Sequence, residues 1–178
     1  MRTKPFNSEV LYPDEPIVQV AQADVAWLKA QAEQTERKRI RLCAHKNVDD
    51  SLHEMLIVHT RDTYVRPHKH LDKSESFHVI EGWVDVVLFD DDGEITDVIQ
   101  MGDYSSGFCF YYRIADPRYH TLLIHSDVLV FHETTNGPFS RSQTAFASWS
   151  PTENNTAAVG EFMSKLAKTA ATFRSVVE

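Results

Sequence analysis

The chain has 178 residues, 42% of them apolar and 11% aromatic, which suits one soluble globular domain with a sizeable core. Its formal charge of −8 and pI near 5.5 argue against nucleic acid or an anionic membrane as main partner, since both need a basic surface. No apolar run approaches the roughly 18 residues of a membrane span, and MRTKPFNSEVLYPDEP has no apolar core of the signal-peptide kind, so a cytoplasmic protein is expected.

Residues 1–20 contain three prolines and no clear period, and read as an arm. Residues 22–38, QADVAWLKAQAEQTERK, are rich in helix formers. Val25, Leu28 and Ala32 share a face with Trp27 beside them, and Asp24 is placed to cap the start. From residue 39 the period changes. IRLCAH, HEMLIVHT, ESFHVI, WVDVVLFD, ITDVIQM, FCFYYRI, YHTLLIH and DVLVFHE are short strand-type runs spaced by about ten residues. Asp91-Asp92-Gly93 is a hairpin signal, and the acidic run Asp90-Asp91-Asp92 reads as solvated turn residues. Many short strands with no helix between them predict an all-β sandwich or barrel. After Pro138 the chain turns polar. Val159, Phe162, Met163, Leu166, Ala170, Phe173 and Val177 then form one helical stripe, which needs cover from its own barrel or from a second subunit. The expected organisation is an arm and helix over 1–38, a β domain over 39–139, and a linker with an amphipathic helix over 140–178. Cys43 and Cys109 are in no CxxC pair and read as two buried thiols.

The chemistry concentrates in RPHKHLDKSESFHVIEG, residues 66–82. On a strand His68 and His70 point the same way, with Tyr64 and Arg66 on the same parity. The short loop LDKS returns Glu75 beside them, and Glu75, Phe77 and Val79 share a face. His120, after Asp116-Pro117-Arg118, starts another strand. Three imidazoles and a carboxylate suit one divalent ion, Zn, Fe, Mn, Ni or Co, with open positions for water or substrate. An HxH pair alone arises by chance in a chain with nine histidines; HxHx4Ex6G on strands with a further strand histidine is far more specific.

This segment resembles the first signature of the cupin superfamily, through His68, His70, Glu75 and Gly82. Of the second signature only Pro117 and His120 remain. The closer resemblance is to the WbuC family of cupin-fold metalloproteins. It rests on RPHKHLDKSESFHVIEG, VDVVLFDDDGEI, the residues His120-Thr121-Leu122 and ETTNGPF, extends weakly to HKNVDDSLHEMLIV, and covers about residues 36–139. The resemblance implies a single cupin-type jelly-roll barrel; the helices that flank it on both sides lie outside the resemblance and follow from the helical segments read above. It implies a metal at the barrel mouth, with His68, His70, Glu75 and His120 as ligands. It also implies a setting in surface-polysaccharide synthesis and hence an activated sugar as substrate.

Around the ligands, Arg66 is placed to grip a carboxylate or phosphate, or to pair with a core acid. Lys73, Lys69 and Tyr64 are further substrate-binding candidates. His132 and Glu133 have opposite facings, so only one points into the barrel; an inward His132 would carry protons. The expected function is isomerisation or epimerisation of a nucleotide-linked sugar, with an Fe²⁺ dioxygenase and a non-catalytic metabolite-binding module as rivals. No nucleotide-binding glycine loop is present. A homodimer is expected because the arm and the C-terminal stripe both need partners.

Overall fold

A computed structural model describes residues 2–177, and side-chain surroundings as far as residue 174. The strands are β1 (Thr3–Pro5), β2 (Val10–Pro13), β3 (Arg39–Cys43), β4 (Leu52–Thr60), β5 (His68–His70) and β6 (Glu75–Glu81), then β7 (Trp83–Phe89), β8 (Ile95–Gly102), β9 (Tyr111–Ile114), β10 (Tyr119–Ile124), β11 (Val128–Asn136) and β12 (Thr144–Phe146). The helices are α1 (Gln22–Ala32) and α2 (Thr156–Val177), with a 3₁₀ turn at Arg141–Gln143. One sheet has the order β1-β2-β3-β4-β11-β6-β9 and the other β12-β5-β10-β7-β8. Only the β2–β3 pairing is parallel. Face to face, the two sheets make a mainly β jelly-roll barrel.

Strand alternation builds three apolar layers. Met55, Ile57, Phe77, Val79, Val86, Leu122 and Phe131 fill the space between the sheets, where Phe77 and Phe131 stack at 4.1 Å between ring centroids. The outer face of the seven-stranded sheet, with Ile40, Leu42, Val58 and Val130, buries Leu28 and Ala32 of α1. The outer face of the five-stranded sheet, with Val87, Phe89 and Leu123, buries Leu166 and Ala170 of α2, flanked by Phe162 and Met163. Arg174 of α2 and His125 converge on buried Asp85 of β7, at 2.6 and 2.8 Å.

Several expectations change. α1 stops at Ala32, short of Lys38: Thr35 donates its hydroxyl to the Ala32 carbonyl, and Lys38 turns the chain at a φ of 56°. Ala21 is the N-cap, and Asp24 accepts its backbone N–H from within the first turn. Trp27 is exposed. The arm is not irregular, because β1 and β2 extend the seven-stranded sheet, and β12 adds an edge strand beyond residue 139. The C-terminal stripe packs on the chain's own barrel, and β1 and β2 join its seven-stranded sheet; Val177 of that stripe lies outside the described side chains. Cys109 is exposed, on the connection between β8 and β9, and only Cys43 is a buried thiol.

Gly82, which ends the histidine-rich segment, makes the tight β6–β7 turn at a φ of 89°. A Cβ there would lie 2.3 Å from the Val128 carbonyl oxygen, so both conformation and space require glycine.

Candidate metal centre

β5 is a three-residue strand between β12 and β10, and its alternation sends His68 and His70 to the barrel interior. His120 of β10 is directly opposite His68 in register. Glu75 reaches the same point from β6, in the other sheet. One ligand atom from each of His68, His70 and His120 lies within 4.8 Å of the others, so these three side chains can hold a metal ion. Glu75 Oε2 is 3.2 Å from His70 Nε2, and Glu75 Oε1 is 3.6 Å from His120 Nε2.

The surrounding contacts prepare the rings for a metal. His68 Nδ1 is 2.9 Å from the Arg66 carbonyl oxygen, and His120 Nδ1 is 3.1 Å from that of Arg118. A carbonyl only accepts, so each Nδ1 carries a proton, which leaves Nε2 as the nitrogen turned to the cluster. His70 Nδ1 meets Thr144 Oγ1 at 3.3 Å. Burial, with His120 and His70 adding to it, pushes His68 down to about 3, so its ring is neutral. Burial alone would raise Glu75, but the His70 hydrogen bond and the nearby imidazoles hold it down at about 2. Three imidazoles, with the ionised Glu75 carboxylate beside them, are donors of the kind that suits a divalent cation.

The cluster opens into a cavity of about 560 Å³ between the sheets. Ile57, Val65, Phe77, Leu122 and Phe131 supply its apolar lining, while Arg39, Arg41, His59, Tyr112 and Glu133 supply polar groups. Glu133 is half-buried in the cavity wall, and its desolvation there together with the Glu75 charge raises it to about 8. Glu9 and Glu153 close one side by ion pairs to Arg37 and Arg39.

The other expected residues are used differently. His132 pairs in register with His78 on the outer face of the seven-stranded sheet, near Glu54, so Glu133 is the one that faces the barrel. Arg66 lines the cavity, but it donates to Ser150 Oγ and the Ala147 carbonyl oxygen, both at 3.1 Å, and lies 5.1 Å over the Phe146 ring. It thereby ties down the segment leading to α2 and pairs with no core acid. Tyr64 donates to the Pro151 carbonyl oxygen at 3.0 Å and packs on Phe162, outside the cavity lining. Lys73 donates to the Pro138 carbonyl oxygen at 2.7 Å, and Lys69 pairs with Asp91 over the Tyr119 ring; neither lines the cavity. Arg39, Arg41 and His59 are cavity residues that the sequence reading did not single out, while Glu133 stood there only as the alternative to His132. The signal for the two arginines was available in the alternation of RIRLC: once Ile40 and Leu42 are placed under a helix, Arg39 and Arg41 must face inward.

A domain of unknown function, DUF6016, matches residues 20–101, less than half of the chain; the match takes in His68, His70 and Glu75 and ends before His120. No curated protein matches the sequence. Among solved structures, the capsular polysaccharide assembling protein CapF of Staphylococcus aureus aligns over 63% of this chain and 32% of its own, at 16% identity and a TM-score of 0.50. Protein SO0799 of Shewanella oneidensis aligns over 58% of this chain and 66% of its own, at 10% identity and a TM-score of 0.47. The Cnp3 cupin domain of Schizosaccharomyces pombe aligns over 57% and 66%, at 11% identity and a TM-score of 0.44. The chain thus spans about a third of CapF and just under two thirds of the other two. At these identities the likeness concerns fold alone, and that fold is a cupin-type jelly-roll barrel with flanking N-terminal and C-terminal helices.

Proposed function

We propose that this protein is a metal-dependent cytoplasmic enzyme that isomerises or epimerises a small sugar-type metabolite, in the manner expected of a WbuC-like cupin. One observation carries the reading: a single cavity combines a donor set suited to one divalent ion with a second carboxyl, Glu133, whose pKa is raised to about 8. Two carboxyls whose environments push them in opposite directions divide the labour, one as ligand and one as proton carrier. A bound divalent ion supplies Lewis acidity for a carbonyl or enediolate oxygen. Glu133, once ionised, takes the proton from the carbon beside the carbonyl. Reprotonation of that carbon from its other face by a water, with the Glu133 proton passing to solvent, gives the epimer. Returned by Glu133 to the former carbonyl carbon, while the neighbouring hydroxyl proton passes to the carbonyl oxygen, the proton gives the isomer. Phe77, Phe131 and Leu122 keep that part of the cavity apolar, which favours the protonated form of Glu133. Glu75, ionised well below neutrality, does not compete for the proton.

The sugar itself rests on the WbuC-like motifs and on the capsular polysaccharide assembly for which CapF is named; the shared fold does not carry it. Two free thiols, one of them exposed, suit a reducing compartment. The test is incubation of the metal-loaded protein with nucleotide sugars in D₂O. Deuterium at a sugar carbon, lost in Glu133→Gln with metal content unchanged, is the expected result. Oxygen uptake with Fe²⁺ and no deuterium incorporation would replace the proposal with the dioxygenase reading. Binding without turnover would leave a metabolite-binding module.

A further inference from the structure

The cavity carries more positive charge than its acids neutralise, in a protein whose net charge is −8. Glu9 and Glu153 are already engaged by Arg37 and Arg39, two acids against two bases. Arg66 donates only to neutral oxygens. Arg41, half-buried on the inner face of β3, makes no close ion pair among the described residues: its side chain's one hydrogen bond goes to the Met55 sulfur, at 3.8 Å, and the acid that acts on it through space is Glu133, whose own pKa is raised. Two further polar groups of the cavity residues are buried without partners, His59 Nδ1 and Tyr112 Oη. A guanidinium half-drawn from water with no acid in direct contact is under-complemented, and so is each buried orphan, unless a ligand complements them.

We propose that Arg41 anchors an oxyanion of the substrate, a carboxylate or phosphate group, while the other end of the same molecule reaches the histidine cluster. This rests on the metal-enzyme reading above and names its substrate class: an anionic metabolite small enough for a cavity of about 560 Å³. The planar fork of Arg41 suits two oxygens of one group. Arg66 and Arg141 line the same cavity without carboxylate partners and add to the field that draws an anion in. His59 and Tyr112 stand in the same wall as hydrogen-bonding groups for the polar remainder of the molecule.

The experiment is calorimetric titration of the full chain with inorganic phosphate and, separately, with succinate, before and after metal removal. The wild-type protein should bind at least one probe in both states, and the preferred probe assigns phosphate or carboxylate. Arg41→Gln should weaken that binding at least about tenfold, the scale of a lost charged hydrogen bond, with melting temperature and metal content unchanged. Arg41→Lys keeps the charge without the fork, and should retain part of the binding even if the glutamine variant folds poorly. Unchanged affinity in both Arg41 variants, or no binding of either probe by the wild-type protein, overturns the proposal. Metal content is read separately, so a failure of the metal reading shows there and not in the metal-free titration.

Discussion

Glu75 and Glu133 have the same chemistry and line the same cavity, yet their surroundings drive them apart, to about 2 and about 8. For Glu133 the sign follows from its raised value. Below pH about 4.5 folded and unfolded states both hold the proton, and the group carries no penalty. As pH climbs from there through about 8, the unfolded state gives up its proton first and stability falls. Glutamine does not titrate. The melting temperature of metal-free Glu133→Gln, relative to wild type, should therefore rise between pH 5 and pH 8.5; a flat difference would show that Glu133 ionises normally. Gly82 gives a second prediction at this scale. Gly82→Ala meets both a φ of 89° and the Val128 carbonyl oxygen, and should cost about 1–3 kcal/mol in denaturant unfolding. The ligand cluster was legible because His68, His70 and Glu75 sit on strands whose alternation is clear. Arg41 and Glu133 obey the same alternation, but which parity faces inward depends on α1 and on the opposite sheet. For lack of that information the sequence left open whether His132 or Glu133 faces inward.

At the scale of elements, α2 acts as a strap across the five-stranded sheet, held by Leu166 and Ala170 and by the Arg174–Asp85 pair. Leu166→Ala should cost about 2–4 kcal/mol by leaving a cavity under the helix, and should leave metal content unchanged because the helix packs on the outer face. Loss of metal together with stability would instead make α2 part of the site's support. The stripe on α2 was plain in the sequence, but a stripe states only that a face needs cover, not which surface supplies it. β1, β2 and β12 went unseen because strands of three or four residues, two of them in a proline-bearing arm, leave too little alternation to detect.

For the whole molecule, the two sheets bring together groups that neither holds alone. The five-stranded sheet contributes His68, His70 and His120; the seven-stranded sheet contributes Glu75, Glu133 and the arginines of β3. The barrel thus sets three imidazoles that could hold a metal ion opposite a wall that carries the arginines of β3, across a few apolar side chains. Among the described residues no helix is long and apolar enough to cross a membrane. The most direct test of this arrangement is elemental analysis of the purified wild-type protein beside the His68→Ala/His120→Ala double variant, after exposure to Mn, Fe, Co, Ni and Zn and desalting. About one ion per wild-type chain is expected, and almost none in the double variant, with matching circular dichroism; equal metal in both proteins, or none in the wild type with every ion offered, would contradict it.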